Sequence, residues 1–427
     1  MPDDGFVQFN KHIIEYMRGV YVLLLISLLG YTGRVSGQES VTITQCYEWA
    51  RANYPQIHQM GLIDQTERYS LSNVGKAWLP QLSVSGKASY QSDVTKLPLD
   101  GDKISSLLPG FEIPSLSKDQ YQVVAQVDQT IWDGGSTRSA RALTRAEAIA
   151  NREQLESELY ALNDRVNQIY FGCLLQDELI RQNALLQKEL QVNIERIEAM
   201  MENGVANQSD LESMEVELLN ARQNEIELKA SRTVYRQMLA TFINKPLTDQ
   251  VVLKTPESPE RSLSTQINRP ELRALDAKSE WIETQNKQVT AGLMPRIGAF
   301  VQGGYGRPGL NMLEDSFEPY YVAGVRLSWN LGKLYTLKND RRKIEVSRRQ
   351  IDVQRETFLF NTRLQLLQQN TEIKKMTDLM RADDDIIRLR TSIKQAAEVK
   401  LENGVISVTD LIREINAEDM ARQTAAA

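Results

Sequence analysis

Apolar residues recur at alternating steps of four and three over a long stretch of the chain, as is typical of a helix that packs along a coiled-coil seam. From Leu155 to Met201, eleven of the fourteen positions at this spacing are apolar, and a sustained 3.5-residue period indicates a left-handed supercoil. Gly172 is the only glycine between residues 136 and 203, and proline does not occur there. We therefore expect one continuous helix of about 100 Å, since a helix rises 1.5 Å per residue.

The end of this helix predicts a tight turn into a second, returning helix. Asn203 followed by Gly204 is a natural helix stop, because glycine adopts the left-handed conformation without strain. Ser209 and Glu212 have the spacing of a capping box that starts the next helix. The seam spacing then resumes. The sequence thus predicts a long antiparallel helical hairpin.

This hairpin belongs to a pattern that occurs twice. Residues 202–205 read Glu-Asn-Gly-Val and residues 402–405 repeat them, and Asp-Leu begins six residues after each glycine, at Asp210 and Asp410. Matching segments lie upstream in the same order, at 78–81 and 293–296 and again at 131–134 and 328–331. Agreement at four places in register predicts an internally duplicated chain.

Each copy of the pattern contains two segments that alternate between apolar and polar residues, which predicts β-strands with one apolar face. The strand pairs lie at about 81–131 and at about 296–331. Segments of about ten residues with tyrosine and tryptophan towards their ends are typical of a membrane β-barrel wall. On strand pattern alone, an ordinary half-buried antiparallel sheet is the simpler explanation.

These elements divide the mature chain into two structural repeats. We place the first at 38–243, with its helical hairpin at about 136–242, and the second at 271–427, with its hairpin at about 333–427. A proline-containing linker at 244–270 separates them. The returning helix of the second repeat is about nineteen residues long, so the second hairpin looks truncated beside the first.

The N-terminal residues 1–37 have the features of a signal peptide. Lys11 and Arg18 precede the ten-residue apolar run Val20–Leu29, and small residues follow it. Ten apolar residues are too few to span a bilayer as a helix, and no later run approaches the ~20 that a spanning helix needs. If the mature chain lies in a membrane, we expect it to do so by β-strands.

Composition narrows the function classes. The chain carries 50 Lys+Arg against 56 Asp+Glu, a net charge of −6, which gives no basic footprint for nucleic acid. Cys46 and Cys173 are the only cysteines, and His12 and His58 the only histidines. This count argues against a disulfide framework, a thiolate metal site and histidine-based catalysis. We expect no enzyme activity, no metal site and no cofactor.

Taken in order, these motifs resemble the TolC-like outer-membrane efflux protein family, the outer-membrane factors of tripartite efflux and type I secretion systems. The resemblance covers about Val41 to the C-terminus. It depends on the Trp-Leu-Pro entry to the strand pair at 78–80, the Ile-Trp-Asp-Gly-Gly exit into the long helix at 131–135, and the glycine followed by Asp-Leu at each hairpin tip. It implies a mainly α fold with membrane β. Four strands per chain would contribute to a 12-stranded trimeric β-barrel, and the long hairpins would form a trimeric α-barrel.

The resemblance implies a homotrimeric exit duct set in outer-membrane lipid, with a long periplasmic extension. Such a duct conducts substrates passively to the exterior. It docks with a periplasmic adaptor (membrane fusion) protein and an inner-membrane transporter, which supplies the energy. Drugs, metal ions, peptides and secreted proteins are all compatible with this interpretation as cargo, and nucleic acid is not an implied partner.

The resemblance also implies candidate site residues near the hairpin tips. Asp410 falls on an acidic position of the periplasmic aperture, Asp210 is its counterpart in the first repeat, and Arg413 stands where the family has a further acidic residue. Each aspartate also suits the first turn of a helix, where it would only complement the helix dipole. The candidates for adaptor docking lie at the tips themselves: Gly204, Val205, Gly404 and Val405.

A periplasmic coiled-coil adaptor or scaffold protein without a pore is the competing interpretation. Such an adaptor would show one hairpin flanked by both halves of a lipoyl-like β-domain, whereas here the hairpin and the alternating strands are duplicated. An enzyme is the weakest alternative, because the sequence offers no nucleophile and base pair and no metal-ligand spacing.

Overall fold

The computed structural model of the protein describes residues 40–95, 116–257, 267–311 and 314–426. The predicted signal peptide lies outside these residues, as do parts of the loops between paired strands and of the linker. The described chain is mostly helical with a few strands. Among the described helices, none combines the length and the apolar character needed to cross a membrane.

The elements follow a similar order in the two halves of the chain, with helix, strand pair and helical hairpin in turn. The first half contains β1 (Ser40–Val41), α1 (Ile43–Asn53), α2 (Gln59–Gly75), β2 (Gln81–Tyr90), β3 (Asp119–Trp132), α3 (Ser136–Tyr160), α4 (Leu162–Glu202) and α5 (Gln208–Ile243). The second half contains β4 (Val252–Leu253), α6 (Pro270–Ala291), β5 (Arg296–Arg307), β6 (Glu318–Ser328), α7 (Lys333–Glu402) and α8 (Val408–Ala426).

The prediction of one continuous helix from 136 to 203 is wrong. Ala161, with a ψ of −16°, separates α3 from α4, and this value departs from the −42° of a regular α-helix. The interruption lies where the chain changes partners, since α3 packs on α2 and α6 while α4 packs on α5 and α1. In the second half, α7 continues without a break for 70 residues, a length of roughly 105 Å.

The predicted seam is buried, which confirms the coiled-coil spacing. Leu155, Val166 and Ile197 on α3 and α4 all lie in apolar cores. One core gathers α1, α4, α5 and the parallel pair of β1 with β4. There the buried Tyr170 hydroxyl donates to the carbonyls of Val41 at 2.9 Å and Lys254 at 2.7 Å, which fixes the β1–β4 pair against α4.

β2, β3, β5 and β6 form one antiparallel sheet in that order. Rows of residues paired across the four strands show that the two faces of the sheet differ in polarity. On one face a row across the sheet is apolar: Leu82, Val127, Val301 and Ala323. The neighbouring row on the other face is mainly polar: Ser83, Gln126, Gln302 and Val322. The apolar face is open within the described chain, since Leu82 is 71% and Val325 70% exposed.

Candidate functional site

The two helical hairpins end side by side in a shared apolar core. Ion pairing also joins them, because Arg196 Nε on α4 lies 3.5 Å from Glu402 Oε1 on α7. The predicted site residues of both repeats are therefore brought into one region of the molecule. The buried members of the core come from α4, α5, α7 and α8: Leu190, Ile194, Ile197, Met214, Leu218, Ala221, Ala397, Leu401, Val408, Leu411 and Ile415.

The tips themselves are two nearly identical turns. Gly204 and Gly404 have φ of 72° and 69°, the left-handed region, which confirms the predicted helix stops. The amide of each following valine donates to the carbonyl five residues earlier, at 2.9 Å. Val205 and Val405 are then left 58% and 68% exposed, so each tip presents an apolar side chain to its surroundings.

The returning helix α5 begins with a capping box, but Ser209 and Glu212 do not form it. The Asp210 amide donates to Asn207 Oδ1 at 3.1 Å, and the Asn207 amide donates to Asp210 Oδ2 at 3.1 Å. The helix begins at Gln208, one residue before the predicted cap, so Ser209 already lies in the first turn. Asp210 thus caps the start of α5, which fits the alternative role expected from the sequence, in which the aspartate complements the helix dipole.

Asp410 holds the same position at the start of α8 and has further partners. The Ser407 hydroxyl donates to Asp410 Oδ2 at 2.7 Å and the Ser407 amide donates to it at 3.2 Å, while Arg413 Nη1 lies 3.3 Å from Oδ1. The Ser407 hydrogen bonds, and after them the Arg413 guanidinium, hold the pKa of Asp410 below its ordinary value. Asp410 is therefore an ionised carboxylate whose charge Arg413 partly offsets.

The predicted aperture residues thus differ between the repeats. Arg413 contacts Asp410, whereas the equivalent position beside Asp210 is Ser213, whose hydroxyl donates to the Ser209 carbonyl. Both aspartates cap their helices, but Asp410 alone of the two has a basic residue one turn away on the same helix. The two repeats are therefore alike in backbone and unlike in charge.

A buried charged cluster lies above the tips and was not predicted from the sequence. Lys394 Nζ on α7 lies 2.5 Å from Glu189 Oε1 on α4 and 2.5 Å from Glu418 Oε2 on α8. Glu418 is only 3% exposed, and it also accepts hydrogen bonds from the Thr391 hydroxyl and from Arg422, each at 2.6 Å. Burial by itself would raise the pKa of Glu418, but these donors outweigh it and lower the pKa.

Comparison with known proteins gives a family match over one part of the chain and a fold shared with solved structures. Residues 46–245 match the sequence model of the outer membrane efflux protein family, which confirms the resemblance over that range. The outer membrane protein VceC from Vibrio cholerae has a TM-score of 0.60 at 12% identity, covering 90% of this chain and 91% of that one. The Campylobacter jejuni CmeC outer membrane channel has a TM-score of 0.57 at 12% identity, and the match covers 90% of this chain and 81% of that one.

A third solved structure agrees with these two. The open state of the Neisseria gonorrhoeae MtrE outer membrane channel has a TM-score of 0.58 at 14% identity, covering 90% of this chain and 84% of that one. At these identities the likeness shows the fold. Comparison with curated protein sequences gives no significant match.

Proposed function

On the premise of the confirmed resemblance to outer membrane efflux proteins, we propose that three copies of this chain form an exit duct across the outer membrane. Each copy contributes its four strands to a twelve-stranded barrel and its helical hairpins to a periplasmic tube. The observation that carries this proposal is the four-stranded sheet, whose apolar face is open and whose two edge strands are unpaired within the described chain.

The edges of the sheet require further copies if it lies in lipid. β2 and β6 are the two edges, and an open sheet edge cannot remain in hydrocarbon because its backbone amides and carbonyls lack partners. The four strands alternate in direction, so β6 of one copy would meet β2 of the next in antiparallel orientation. Identical copies can therefore close a ring, with the mainly polar face towards a water-filled lumen.

The helix α7 supports the same assembly. Ile344 and Ile351 pack against Ile282 of α6, but a second apolar row on α7 lacks partners within the described chain. Its members recur every seven residues and each is at least 55% exposed: Val346, Val353, Phe360 and Leu367. A heptad row of this kind is typical of a helix that packs along another helix, and we assign that helix to a neighbouring copy.

In this proposal the duct is passive and works within a tripartite efflux or secretion system. Substrates pass from a periplasmic adaptor and an inner-membrane transporter to the exterior, and the transporter supplies the energy. The hairpin tips with Gly204, Val205, Gly404 and Val405 dock with the adaptor, since exposed valines on rigid turns offer apolar contacts. Val405→Asp should then reduce export while leaving conductance in a planar bilayer unchanged, and unchanged export would contradict the docking assignment.

Asp410 and Arg413 form the periplasmic aperture in this proposal, and Asp210 lies nearby. Three Asp410 carboxylates around one axis would attract cations, although Arg413 offsets part of their charge. Asp410→Asn should therefore weaken the block of single channels by divalent cations. Asp210→Asn is the matched control, because Asp210 caps its helix in the same way, and we expect it to change the block less. Unchanged block in Asp410→Asn would refute the assignment.

Single-channel recording also separates the duct from the alternative of a pore-free periplasmic adaptor or scaffold. The purified full-length protein, extracted from outer membranes in mild detergent, should give discrete conductance steps in a planar bilayer. A protein that is recovered without detergent from the periplasm and gives no steps would favour the scaffold.

A further inference from the structure

A groove of about 1060 Å³ lies beside the sheet, where α6 ends and α3 begins. Trp78 and Trp132 line it on the side of the sheet, together with Met294, which precedes β5. A bulge between Thr130 and Trp132 places Trp132 opposite Ile297, on the apolar face of the sheet. The groove therefore continues the apolar face beyond the ends of the strands.

The groove lies under the middle of the sheet. Trp132 ends β3 and Met294 precedes β5, and these two strands are the central pair. In a ring of copies the neighbours would pair along β2 and β6, and of the residues that line the groove Trp78 alone precedes an edge strand, β2. Each copy therefore carries a complete groove of its own.

The helical side of the groove is strongly basic. Arg138, Arg141 and Arg145 recur at steps of three and four on one face of α3 and extend over about 10 Å along the helix. Lys287 faces them from α6. All four side chains are exposed, and within the described residues none of them forms an ion pair.

One carboxylate is present among the described residues that line the groove, and it is already engaged. Asp133 accepts hydrogen bonds from the amides of Gly135 at 2.9 Å and Thr137 at 2.6 Å, so it closes the start of α3 rather than pairing with an arginine. Four cations against one carboxylate leave the groove with a net charge of about +3. This charge favours an anionic ligand.

We propose that this groove binds the anionic headgroup of a glycerophospholipid from the leaflet nearest the helices. The proposal rests on the proposed function, since it takes the apolar face of the sheet to face lipid. Tryptophan is enriched where hydrocarbon meets headgroups, and arginine pairs with phosphate through two parallel hydrogen bonds. The headgroup layer is roughly 5–8 Å thick on each side of the hydrocarbon, so the arginines begin within it. A free phosphate would use the cations but not the adjoining exposed tryptophans.

The test is native mass spectrometry of the full-length protein in mild detergent, titrated with phosphatidylglycerol or with the zwitterionic phosphatidylcholine. The wild type should retain phosphatidylglycerol preferentially. A basic residue near an anionic surface contributes about fivefold to affinity, so Arg138→Gln/Arg141→Gln/Arg145→Gln should weaken phosphatidylglycerol binding on the order of a hundredfold. Lys287→Gln, on the opposite helix, should weaken it about fivefold. Both changes should weaken phosphatidylcholine binding less, because its phosphate also accepts hydrogen bonds from arginine but its headgroup has no net charge.

The matched control removes three cations elsewhere. Arg165, Arg363 and Lys374 on α4 and α7 are also exposed and, among the described residues, without ion pairs. Arg165→Gln/Arg363→Gln/Lys374→Gln should leave phosphatidylglycerol binding unchanged. Equal retention of the two lipids by the wild type, or equal loss in both triple variants, would overturn the proposal.

Competition identifies the source of the anion. Inorganic phosphate or polyglutamate that displaces phosphatidylglycerol at millimolar concentration would assign the groove to free anions or to an acidic protein surface, and either result would overturn the lipid assignment. Conductance of the same wild-type preparation distinguishes a failure of the groove assignment from a failure of the proposed function. A conducting protein without lipid preference refutes the groove alone, whereas a water-soluble, non-conducting protein refutes the proposed function and the lipid assignment with it.

Discussion

Lys394→Met should destabilise the region above the hairpin tips far more than the loss of an ordinary surface charge. Lys394 is 11% exposed and bridges two carboxylates on different helices, Glu189 on α4 and Glu418 on α8. Removing one partner from a buried ion pair costs ~3–5 kcal/mol, because the remaining charge is left uncompensated. Methionine has a similar length and leaves no large cavity, so the lost charge dominates the effect.

The structure reduces this magnitude on one side of the cluster. Glu418 keeps its hydrogen bonds from Thr391 and Arg422 when Lys394 is lost, whereas Glu189 Oε1 is buried and loses its partner although the side chain as a whole is 28% exposed. We therefore expect a loss of about 2–3 kcal/mol, at or below the lower end of the range for buried pairs. Such a loss corresponds to roughly a hundredfold faster exchange of amides that open with this region.

Hydrogen–deuterium exchange of the full-length protein, followed in α7 and α8, measures this loss directly. Lys375→Met is the matched control, because Lys375 pairs with Glu372 on the same helix at 2.6 Å and both side chains are about half exposed. An exposed pair of this kind contributes less than about 1 kcal/mol. Equal exchange in the two variants would refute the view that the Lys394 cluster holds the hairpins together.

The ion pairs of Lys394 with Glu189 and Glu418 should stabilise the hairpins over a wide pH range. Burial would lower the pKa of Lys394, but Glu189 and Glu418 outweigh burial and raise it, so its contribution is lost only as pH rises through that raised pKa. The lowered pKa of Glu418 means that its contribution is lost only as pH falls through that lowered value. Burial, with the neighbouring Glu189 and Glu418 charges, raises the pKa of Asp419 on α8, so between these limits we expect the protection of α7 and α8 to change with pH only where Asp419 titrates.

Three further changes test particular parts of the fold. Gly404→Ala places a Cβ at a φ of 69° and should cost about 1–2 kcal/mol of local stability by hydrogen exchange; unchanged exchange in α8 would contradict this. Burial raises the pKa of both Cys46 and Cys173 to about 11, so iodoacetamide at pH 7.5 should modify them only as fast as the protein unfolds, and rapid labelling of the native protein would show the burial to be wrong. Tyr170→Phe leaves the Lys254 carbonyl without the hydroxyl donor, while the Val41 carbonyl keeps the Lys254 amide at 3.0 Å. The change should cost about 1–3 kcal/mol in thermal unfolding, while the exposed Tyr69→Phe should not; equal melting temperatures would exclude this role for the hydroxyl.

Most helices and strands could be predicted from the sequence because their buried seams and faces recur at regular spacings. The apolar steps through Val166 and Ile197 mark the buried side of α4, and the alternation around Val301 marks one face of β5. The break at Ala161 was missed because alanine is a good helix former. The cause of the break is a change of packing partners, which local sequence does not encode.

The site was less predictable because its contacts join distant segments. The capping box at Asn207 was missed, although asparagine followed three residues later by aspartate was a usable signal. Glu418 lies three residues after the buried Ile415. An acidic residue on the apolar seam of α8 was therefore a second usable signal, for a buried charge. Its partner Lys394 lies on α7, and only the folded hairpin brings the two together.

The central claim is that copies of this chain assemble in the outer membrane, and native mass in detergent tests it most directly. The outer-membrane fraction, extracted in mild detergent, should contain the protein as a species of three chains. A soluble monomer or dimer in the periplasm would contradict the account, because the apolar face of the sheet and the exposed heptad row of α7 would then have no neighbour to cover them.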